Sequence, residues 1–281
     1  MQVIFTDLDG TLLDRGYSYA AARPALALMR ELDVPLVFCS SKTRAEIEYW
    51  RSRLNNRHPF IIENGGALYV PRDYFPFAIR APVYRDGYAV FEFGDPYGEL
   101  VGALRSASLE SRCEVVGFHR LSASEISKRY GMSGQEAELA KRREYDEPFE
   151  ILGSSGAALL AAIERRKKRW LQGGRLYHVL GVNDKAHCVN LLTHFYQRAV
   201  PHVATMGLGD GPNDVGFLNS VNTPVLLRTA MAGKLVKAVK GARLTDLEGP
   251  EGWNEAVLSL LASHNRGRAL EPELSHSLSD R

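Results

Sequence analysis

Short apolar runs alternate with amphipathic stretches over the first sixty residues. Residues 3–6, 35–39 and 60–62 are apolar runs, rich in β-branched and aromatic side chains, and polar residues follow each of them. Between them, residues 21–32 and 42–54 carry apolar side chains at helical spacing. Uninterrupted apolar runs are typical of parallel strands that are buried on both faces. Strands that alternate with helices predict an α/β fold, a doubly wound parallel sheet with helices on both faces.

The pattern changes between residues 83 and 176. Residues 88–93 alternate apolar and polar side chains, which is typical of an antiparallel strand with one solvated face. Capping-box sequences that begin at Ser122 and Ser133 each predict the start of a short helix. The doubly wound pattern resumes near Lys185. We therefore predict an inserted α+β domain at 83–176, a core domain formed by 1–82 and 177–263, and a polar, disordered tail at 264–281.

Composition and charge exclude several functional classes. The 281 residues carry a net charge of +2 with no concentrated basic stripe, which disfavours nucleic-acid binding. The three cysteines are scattered and form no CxxC pair, so we expect neither a zinc site nor a disulfide framework. No apolar run approaches the roughly 18 residues of a membrane helix, and no signal peptide is recognisable. These features favour a cytoplasmic protein without a membrane partner, and none of them indicates an oligomeric state.

Two acidic clusters follow predicted strands. Asp7 and Asp9 come directly after the first strand, and Asp210 and Asp214 come after a strand near residue 208. In open α/β sheets, ligands bind beyond the carboxyl ends of the strands. Neighbouring carboxylates repel one another unless a cation holds them, and an all-oxygen set suits Mg²⁺. The alternatives are a calcium site or a chance acidic turn for the first cluster, and an Asx-rich turn for the second.

Two further clusters supply groups that could bind phosphate. Ser40 and the residues up to Thr43 follow the second strand, where a hydroxyl and backbone N–H groups at a helix N-terminus can hold an anion. The alternative is a serine that only caps the helix. Lys185 opens a later helix and could neutralise a phosphate oxygen, although a surface lysine is the alternative.

Together, the four clusters resemble the haloacid dehalogenase superfamily of phosphatases in order and in strand context. The resemblance implies a Rossmann-like core, an inserted α+β cap domain and a Mg²⁺ cofactor. It implies that Asp7 is the nucleophile, which forms an aspartyl-phosphate, and that Asp9 is the general acid/base, whose backbone carbonyl helps to hold the metal. The remaining positions that match the family motifs are Ser40, Lys185, Asp210 and Asp214.

A narrower resemblance involves four segments: residues 38–46, 62–67, 143–149 and 249–254. They are similar to the mannosyl-3-phosphoglycerate phosphatase family, across nearly the whole chain. That family removes phosphate from mannosyl-3-phosphoglycerate to give mannosylglycerate, a compatible solute. A member that acts on the glucosyl analogue would look much the same. The rival classes are a phosphosugar mutase of similar core and a non-catalytic sugar-phosphate binder. The intact acid set disfavours the binder.

This substrate would carry a phosphate, a carboxylate and a sugar. We expect Arg143 to bind the carboxylate as a bidentate pair, and Glu147 to accept hydrogen bonds from sugar hydroxyls. The alternative for this part of the chain is a set of helix-end surface residues. Glu63 and Asn64 are interpreted as a turn. The full set of predicted substrate-binding residues is Ser41, Lys42, Arg143, Glu147 and Asn213.

Overall fold

A computed structural model describes residues 1–153, 156–173 and 176–269, which form thirteen strands and ten α-helices. The strands are β1 (Gln2–Thr6), β2 (Leu36–Cys39), β3 (Phe60–Ile62), β4 (Ala67–Pro71), β5 (Val83–Arg85), β6 (Tyr88–Glu92), β7 (Glu114–Gly117), β8 (Asp146–Leu152), β9 (Arg169–Gly173), β10 (Leu176–Leu180), β11 (Ala204–Gly209), β12 (Thr223–Leu226) and β13 (Arg243–Leu244). The helices are α1 (Arg23–Glu31), α2 (Arg44–Arg53), α3 (Tyr97–Ser111), α4 (Ala123–Tyr130), α5 (Gly134–Ala140), α6 (Gly156–Arg165), α7 (Lys185–Ala199), α8 (Val215–Leu218), α9 (Ala232–Leu235) and α10 (Gly249–Ala269). Within these ranges, no helix has both the length and the apolar composition that crossing a membrane requires.

The larger sheet has nine strands in the order β13-β12-β11-β1-β2-β3-β4-β6-β5. The pairs from β13 to β3 are parallel, and β4, β6 and β5 continue the sheet in antiparallel pairs. Thr6 of β1 pairs with Phe38 of β2 on one side and with Leu208 of β11 on the other. The carboxyl ends of these three strands therefore meet at one edge of the sheet. The predicted doubly wound α/β core is confirmed.

Alternate residues of β1 pack into different layers of the core. Ile4 belongs to a cluster with Trp253 of α10, whereas Val3 and Phe5 belong to a cluster with Leu192 of α7. All five side chains are buried. Helices therefore cover both faces of the sheet, as the continuous apolar runs predicted.

The smaller sheet has four antiparallel strands in the order β7-β8-β10-β9. Leu104 of α3, Leu159 of α6, Phe149 of β8 and Val179 of β10 form its main apolar cluster. Helices α4 and α5 begin with the capping boxes predicted at Ser122 and Ser133. This segment thus has a core of its own, which supports the prediction of a separate inserted domain.

The strands divide between the two sheets at residues that differ from the predicted domain limits of 83 and 176. Strands β5 and β6 lie in the nine-stranded sheet, where β6 pairs along the whole of β4. Strand β10, which ends at Leu180, belongs to the smaller sheet. The antiparallel strand predicted at 88–93 is confirmed as β6, but an alternating pattern does not indicate which sheet a strand joins. By sheet membership, the insertion begins after β6 and ends after β10, and the division into domains stays a prediction with these limits.

The predicted tail is partly wrong. Helix α10 continues through Ala269, so residues 264–269 are helical and do not begin a disordered tail. The rest of the predicted tail, 270–281, lies outside the described residues.

A tight turn at residues 63–66 follows β3 and packs against segments that lead into α7 and β8. Glu63, Asn64 and Gly65 all have positive φ, at 45°, 55° and 86°. A Cβ atom on Gly65 would lie 2.1 Å from the carbonyl oxygen of Asp184, just before α7. A Cβ atom on Gly66 would lie 2.4 Å from Cβ of Tyr145, just before β8. The 63–66 turn is therefore wedged between the start of α7 and the segment that leads into the smaller sheet.

This close approach predicts different costs for two glycine substitutions at similar φ. Gly87 has φ of 84° but nothing within 4 Å of its Cβ position. Gly87→Ala should therefore lower the free energy of unfolding by only the conformational cost, about 1–2 kcal/mol. Gly65→Ala should lower the free energy of unfolding by about 1–3 kcal/mol more than Gly87→Ala, because the new methyl group would clash with the backbone of Asp184. Urea unfolding of both variants measures the difference, and equal losses would contradict the wedged position of the turn.

Candidate active site

The site is built around the ammonium group of Lys185. Asp184 caps α7 by accepting a hydrogen bond from the backbone N–H of His187 at 2.8 Å, so Lys185 is the first residue of the helix. Its Nζ lies 3.0 Å from Oδ1 of Asp7, directly after β1, and 2.7 Å from Oδ1 of Asp214, after β11. All three side chains are buried. Elements far apart in sequence thus bring opposite charges into direct contact.

Three carboxylates form a candidate metal centre. One oxygen atom from each of Asp7, Asp210 and Asp214 lies within 4.8 Å of the others. Asp214 is fixed in orientation, because its Oδ2 accepts hydrogen bonds from the backbone N–H groups of Asp210 and Gly211, both at 3.0 Å. Gly10 has φ of 76°, and a Cβ atom on it would lie 2.5 Å from Oδ2 of Asp210, so glycine lets the turn after β1 come this close without displacing that carboxylate.

The electrostatics of these groups favour a bound cation. Burial, assisted by repulsion from Asp214 and Asp9, raises the pKa of Asp7 to about 7, although Lys185 opposes the shift. Burial and the neighbouring carboxylates raise the pKa of Asp210 to about 8. One ammonium group does not balance three carboxylates, and an excess of buried oxygen ligands fits a hard divalent ion such as Mg²⁺. Asp7, Asp9, Asp210 and Asp214 are the predicted metal residues; the structure brings together the carboxylates of Asp7, Asp210 and Asp214, and their role as metal ligands stays a prediction.

The side chain of Asp9 lies apart from this cluster. Its Oδ1 is 2.9 Å from Nζ of Lys42, and 45% of the Asp9 side chain is exposed. Lys42 is buried, lies 3.4 Å from Oε1 of Glu46 and stacks over the ring of Tyr17 at 4.7 Å. Within the described residues, the Asp9 carboxylate is therefore not among the clustered metal ligands. The metal contact through its backbone carbonyl, implied by the family resemblance, stays a prediction.

The segment after β2 has the geometry of a helix start beside a buried hydroxyl. Ser40 is buried, and its Oγ lies 3.4 Å from the backbone N of Lys42. Thr43, rather than a serine, caps α2: it accepts from the backbone N–H of Glu46, whose carboxylate accepts from the N–H of Thr43 at 2.9 Å. The helix therefore does not need the hydroxyl of Ser40 or Ser41 as its cap. Their roles at the phosphate stay predictions.

Arg143 is not free to bind a substrate carboxylate in this structure, contrary to expectation. Its Nε donates to the carbonyl of Asp146 at 3.0 Å, and its Nη2 donates to the carbonyl of Ser41, also at 3.0 Å. The carboxylates of Asp146 and Glu63 lie 3.2 Å and 3.7 Å from the guanidinium group. The side chain is only 3% exposed, so these contacts make it a buried ion pair that joins the insertion to the loop after β2.

Glu147, predicted to bind sugar hydroxyls, also has its carboxylate engaged by other groups of the protein. Its Oε1 accepts from the backbone N–H of His119 at 3.1 Å and lies 2.6 Å from Nδ1 of the same residue. Its Oε2 accepts from the hydroxyl of Tyr97 at 2.6 Å, and the side chain is fully buried. Successive residues of a strand point to opposite faces, so Glu147 packs beside α3 while Asp146 faces the core domain. Neither oxygen of Glu147 is available to a sugar hydroxyl.

Asn64 is the residue that sequence reasoning missed. The side chain of Asn213, a predicted substrate residue, donates from Nδ2 to Oδ1 of Asn64 at 3.2 Å. Asn64 is buried beside the loop of Asp214, whereas the sequence predicts only a turn there. The available signal was an Asn-Gly pair directly after a predicted parallel strand, at the edge of the sheet where ligands bind.

Comparisons with known proteins agree with this geometry. Residues 4–75 match the model of the haloacid dehalogenase-like hydrolases. A glucosyl-3-phosphoglycerate/mannosyl-3-phosphoglycerate phosphatase of Methanococcoides burtonii is 40% identical over 268 residues, which cover 94% of this chain and 98% of that protein. A mannosyl-3-phosphoglycerate phosphatase of Pyrococcus furiosus is 36% identical over 227 residues, which cover 81% of this chain and 91% of that protein.

Solved structures show the same fold at low sequence identity. A haloacid dehalogenase-like hydrolase from Bacteroides thetaiotaomicron aligns over 92% of this chain and 99% of its own, with a TM-score of 0.63 and 16% identity. The matched core, the convergent Asp and Lys residues and the full-length relatives lead to one assignment. The chain belongs to the haloacid dehalogenase superfamily, in the family of the glucosyl- and mannosyl-3-phosphoglycerate phosphatases.

Proposed function

We propose that this protein is a Mg²⁺-dependent phosphatase that hydrolyses mannosyl-3-phosphoglycerate to mannosylglycerate and inorganic phosphate. The observation that carries the proposal is the contact between Lys185 and Asp7 beside the carboxylates of Asp210 and Asp214. Glucosyl-3-phosphoglycerate is the second candidate substrate, since the Methanococcoides burtonii relative is named for both compounds. The two sugars differ at one hydroxyl group, so a single site can accept both.

Asp7 is the proposed nucleophile. Lys185 holds one of its oxygens at 3.0 Å, and the charge of the ammonium group favours the ionised, nucleophilic form. A carboxylate oxygen of Asp7 attacks phosphorus, and the bond between phosphorus and the glycerate oxygen breaks. The leaving oxygen takes a proton from Asp9. Asp9 then removes a proton from a water molecule, which attacks the aspartyl-phosphate, releases inorganic phosphate and restores the carboxylate of Asp7.

Lys42 restricts the position of Asp9. The ion pair at 2.9 Å holds the partly exposed Asp9 carboxylate, since Lys42 is itself held by Glu46 and Tyr17. Incoming phosphate would meet the Lys42 ammonium group and the hydroxyls of Ser40 and Ser41 near the start of α2. These contacts would bring the leaving oxygen towards the Asp9 carboxylate, whose side chain is 45% exposed.

Asp7, Asp210 and Asp214 would hold the metal ion. When bound, Mg²⁺ neutralises phosphate oxygens and so lowers the repulsion between an anionic substrate and an anionic nucleophile. The backbone N–H groups that fix Asp214 keep this oxygen set in place before the ion arrives. The proximity of the three carboxylates, within 4.8 Å of one another, supports their proposed role as metal ligands.

Turnover of a panel of phosphate esters tests the substrate. We expect kcat/KM for both glycosyl-3-phosphoglycerates to exceed that for simple sugar phosphates by about 100-fold or more, the range of discrimination by several substrate contacts. Phosphate release without a bisphosphate activator separates a phosphatase from a phosphosugar mutase. Equal rates on all esters would overturn the proposed substrate, and binding without any release would favour the sugar-phosphate binder.

Removal of the nucleophile should abolish turnover without unfolding the protein. Asp7→Asn is nearly isosteric, so we expect phosphate release to fall by about 10³-fold or more while the unfolding midpoint is kept. Asp33→Asn is the matched control, because Asp33 is exposed and, among the residues that the structure describes, forms its ion pair with Arg57 at the surface. Activity of a few per cent in Asp7→Asn, with deamidation excluded by mass spectrometry, would indicate direct attack by water instead.

Metal binding should stabilise the protein more at high pH than at low pH. The pKa values of Asp7 and Asp210 are raised to about 7 and about 8, so in metal-free protein their contribution to stability is complete below the ordinary carboxyl pKa. It is lost as pH rises through these raised values, because both groups then ionise beside Asp214. Mg²⁺ should therefore raise the melting temperature more at about pH 8.5 than at about pH 6.

Thermal unfolding with Mg²⁺ and with excess chelator measures this effect. Asp210→Asn removes one of the ionising groups and should reduce the dependence of the Mg²⁺ effect on pH. An equal shift at both pH values, or no shift in the wild-type protein, would contradict a metal centre at these carboxylates.

A further inference from the structure

The 63–66 turn contains an unusual run of backbone conformations. Three consecutive residues have positive φ, and two of them, Glu63 and Asn64, are not glycine. Such residues are strained unless their surroundings hold them in place, and they concentrate at functional sites. Glu63 is held because its carboxylate accepts hydrogen bonds from the backbone N–H groups of Glu144 and Tyr145, at 3.0 Å and 2.7 Å. The insertion itself therefore keeps the turn in its strained form.

Asn64 contacts three loops of the candidate active site and the first residue of β8. Its backbone N–H donates to the carbonyl of Ser40 at 3.0 Å, in the loop after β2. Its carbonyl accepts from Nδ2 of Asn183 at 3.3 Å, two residues before Lys185. Its Oδ1 accepts from Asn213 at 3.2 Å, next to Asp214. Its Nδ2 donates to Oδ2 of Asp146 at 2.7 Å, the first residue of β8.

Asp146 extends these contacts into the smaller sheet. Its Oδ1 lies 2.7 Å from Nδ1 of His178 on β10 and 3.2 Å from the guanidinium group of Arg143. Arg143 returns to the core by donating to the carbonyl of Ser41. The contacts thus form a closed ring of buried polar groups, in which Asn64 is the member that reaches both the loop of Lys185 and the loop of Asp214.

We propose that Asn64 is a positioning residue that sets the distance and orientation between the catalytic loops and the inserted segment. Its side chain holds Asn213 beside the carboxylates of Asp210 and Asp214 and links Asn213 to Asp146. A substrate bound by both the core loops and the inserted segment is thereby aligned with Asp7. The proposal rests on the proposed phosphatase function. It requires that loss of the Asn64 side chain impair a substrate that spans core and insertion more than one that occupies the phosphate site alone.

A charge swap across the contact with Asp146 tests this role. Asn64→Asp keeps the shape of the side chain but places a carboxylate oxygen against that of Asp146. We expect kcat/KM for mannosyl-3-phosphoglycerate to fall by about 10-fold or more, within the range of coupling between contacting residues. Adding Asp146→Asn restores a donor and an acceptor at this position, so the double variant should recover most of the loss.

Hydrolysis of p-nitrophenyl phosphate is the second readout. This ester reaches the phosphate site but has no glycerate or sugar, so its kcat/KM should fall by less than about threefold in Asn64→Asp. Asn64→Gly tests the side chain without adding charge, since glycine accepts the positive φ. It should show the same preference for loss on the larger substrate and should not be rescued by Asp146→Asn. Asn55→Asp is the matched control, because Asn55 also has positive φ but is exposed and distant from these loops.

The outcomes separate this proposal from the proposed function. Equal losses on both esters, losses that multiply in the double variant, or unchanged activity in both Asn64 variants would overturn the role of Asn64 alone. A wild-type protein that releases phosphate only from other esters would overturn the glycosyl substrate, and the same variants then test Asn64 on the preferred large ester. A wild-type protein that releases no phosphate would overturn both proposals.

Discussion

The buried ammonium group of Lys185 lies between the carboxylates of Asp7 and Asp214, and the organisation of the site follows from this contact. An unpaired charge in the interior costs several kcal/mol, so β1, β11 and α7 must meet where these charges can pair. One ammonium group still leaves the three carboxylates in excess. The same arrangement that makes the fold tolerate buried acids therefore favours a bound cation and positions Asp7, the proposed nucleophile, beside that cation's site.

The sheet edge explains why much of the site was predictable. Each of Asp7, Ser40 and Asp210 follows an apolar run, and parallel strands carry their carboxyl ends to one edge. Local patterns therefore suffice to predict that these residues converge, and the structure places Asp7, Asp210 and Asp214 within 4.8 Å of one another. The predicted α/β core succeeded for the same reason, since continuous apolar runs separated by amphipathic helices allow few other arrangements.

The errors concern contacts that local sequence does not encode. Glu147 and Asp146 are neighbours, yet the pleat of β8 sends Glu147 towards Tyr97 of α3 and Asp146 towards Asn64 of the core. A one-residue change in strand register would exchange them, and register depends on pairing with β10. The difference between the predicted domain limits and the sheet membership has a similar origin: β6 has the pattern of any half-exposed strand, and its pairing with β4 assigns it to the larger sheet.

Two buried charge clusters lie close together in this protein, and their hydrogen bonding distinguishes their roles. Around Arg143, the acids already have donors: Glu63 accepts from two backbone N–H groups, and Asp146 accepts from Asn64 and contacts His178. Within the described residues, the carboxylate of Asp210 has one hydrogen bond, from the hydroxyl of Thr11 at 3.4 Å. A partly buried carboxylate with so few donors beside two buried carboxylates is a favourable ligand for a hard cation. The cluster around Arg143 therefore holds the insertion to the core, whereas the cluster around Lys185 is the one that remains open to a metal ion and a phosphate.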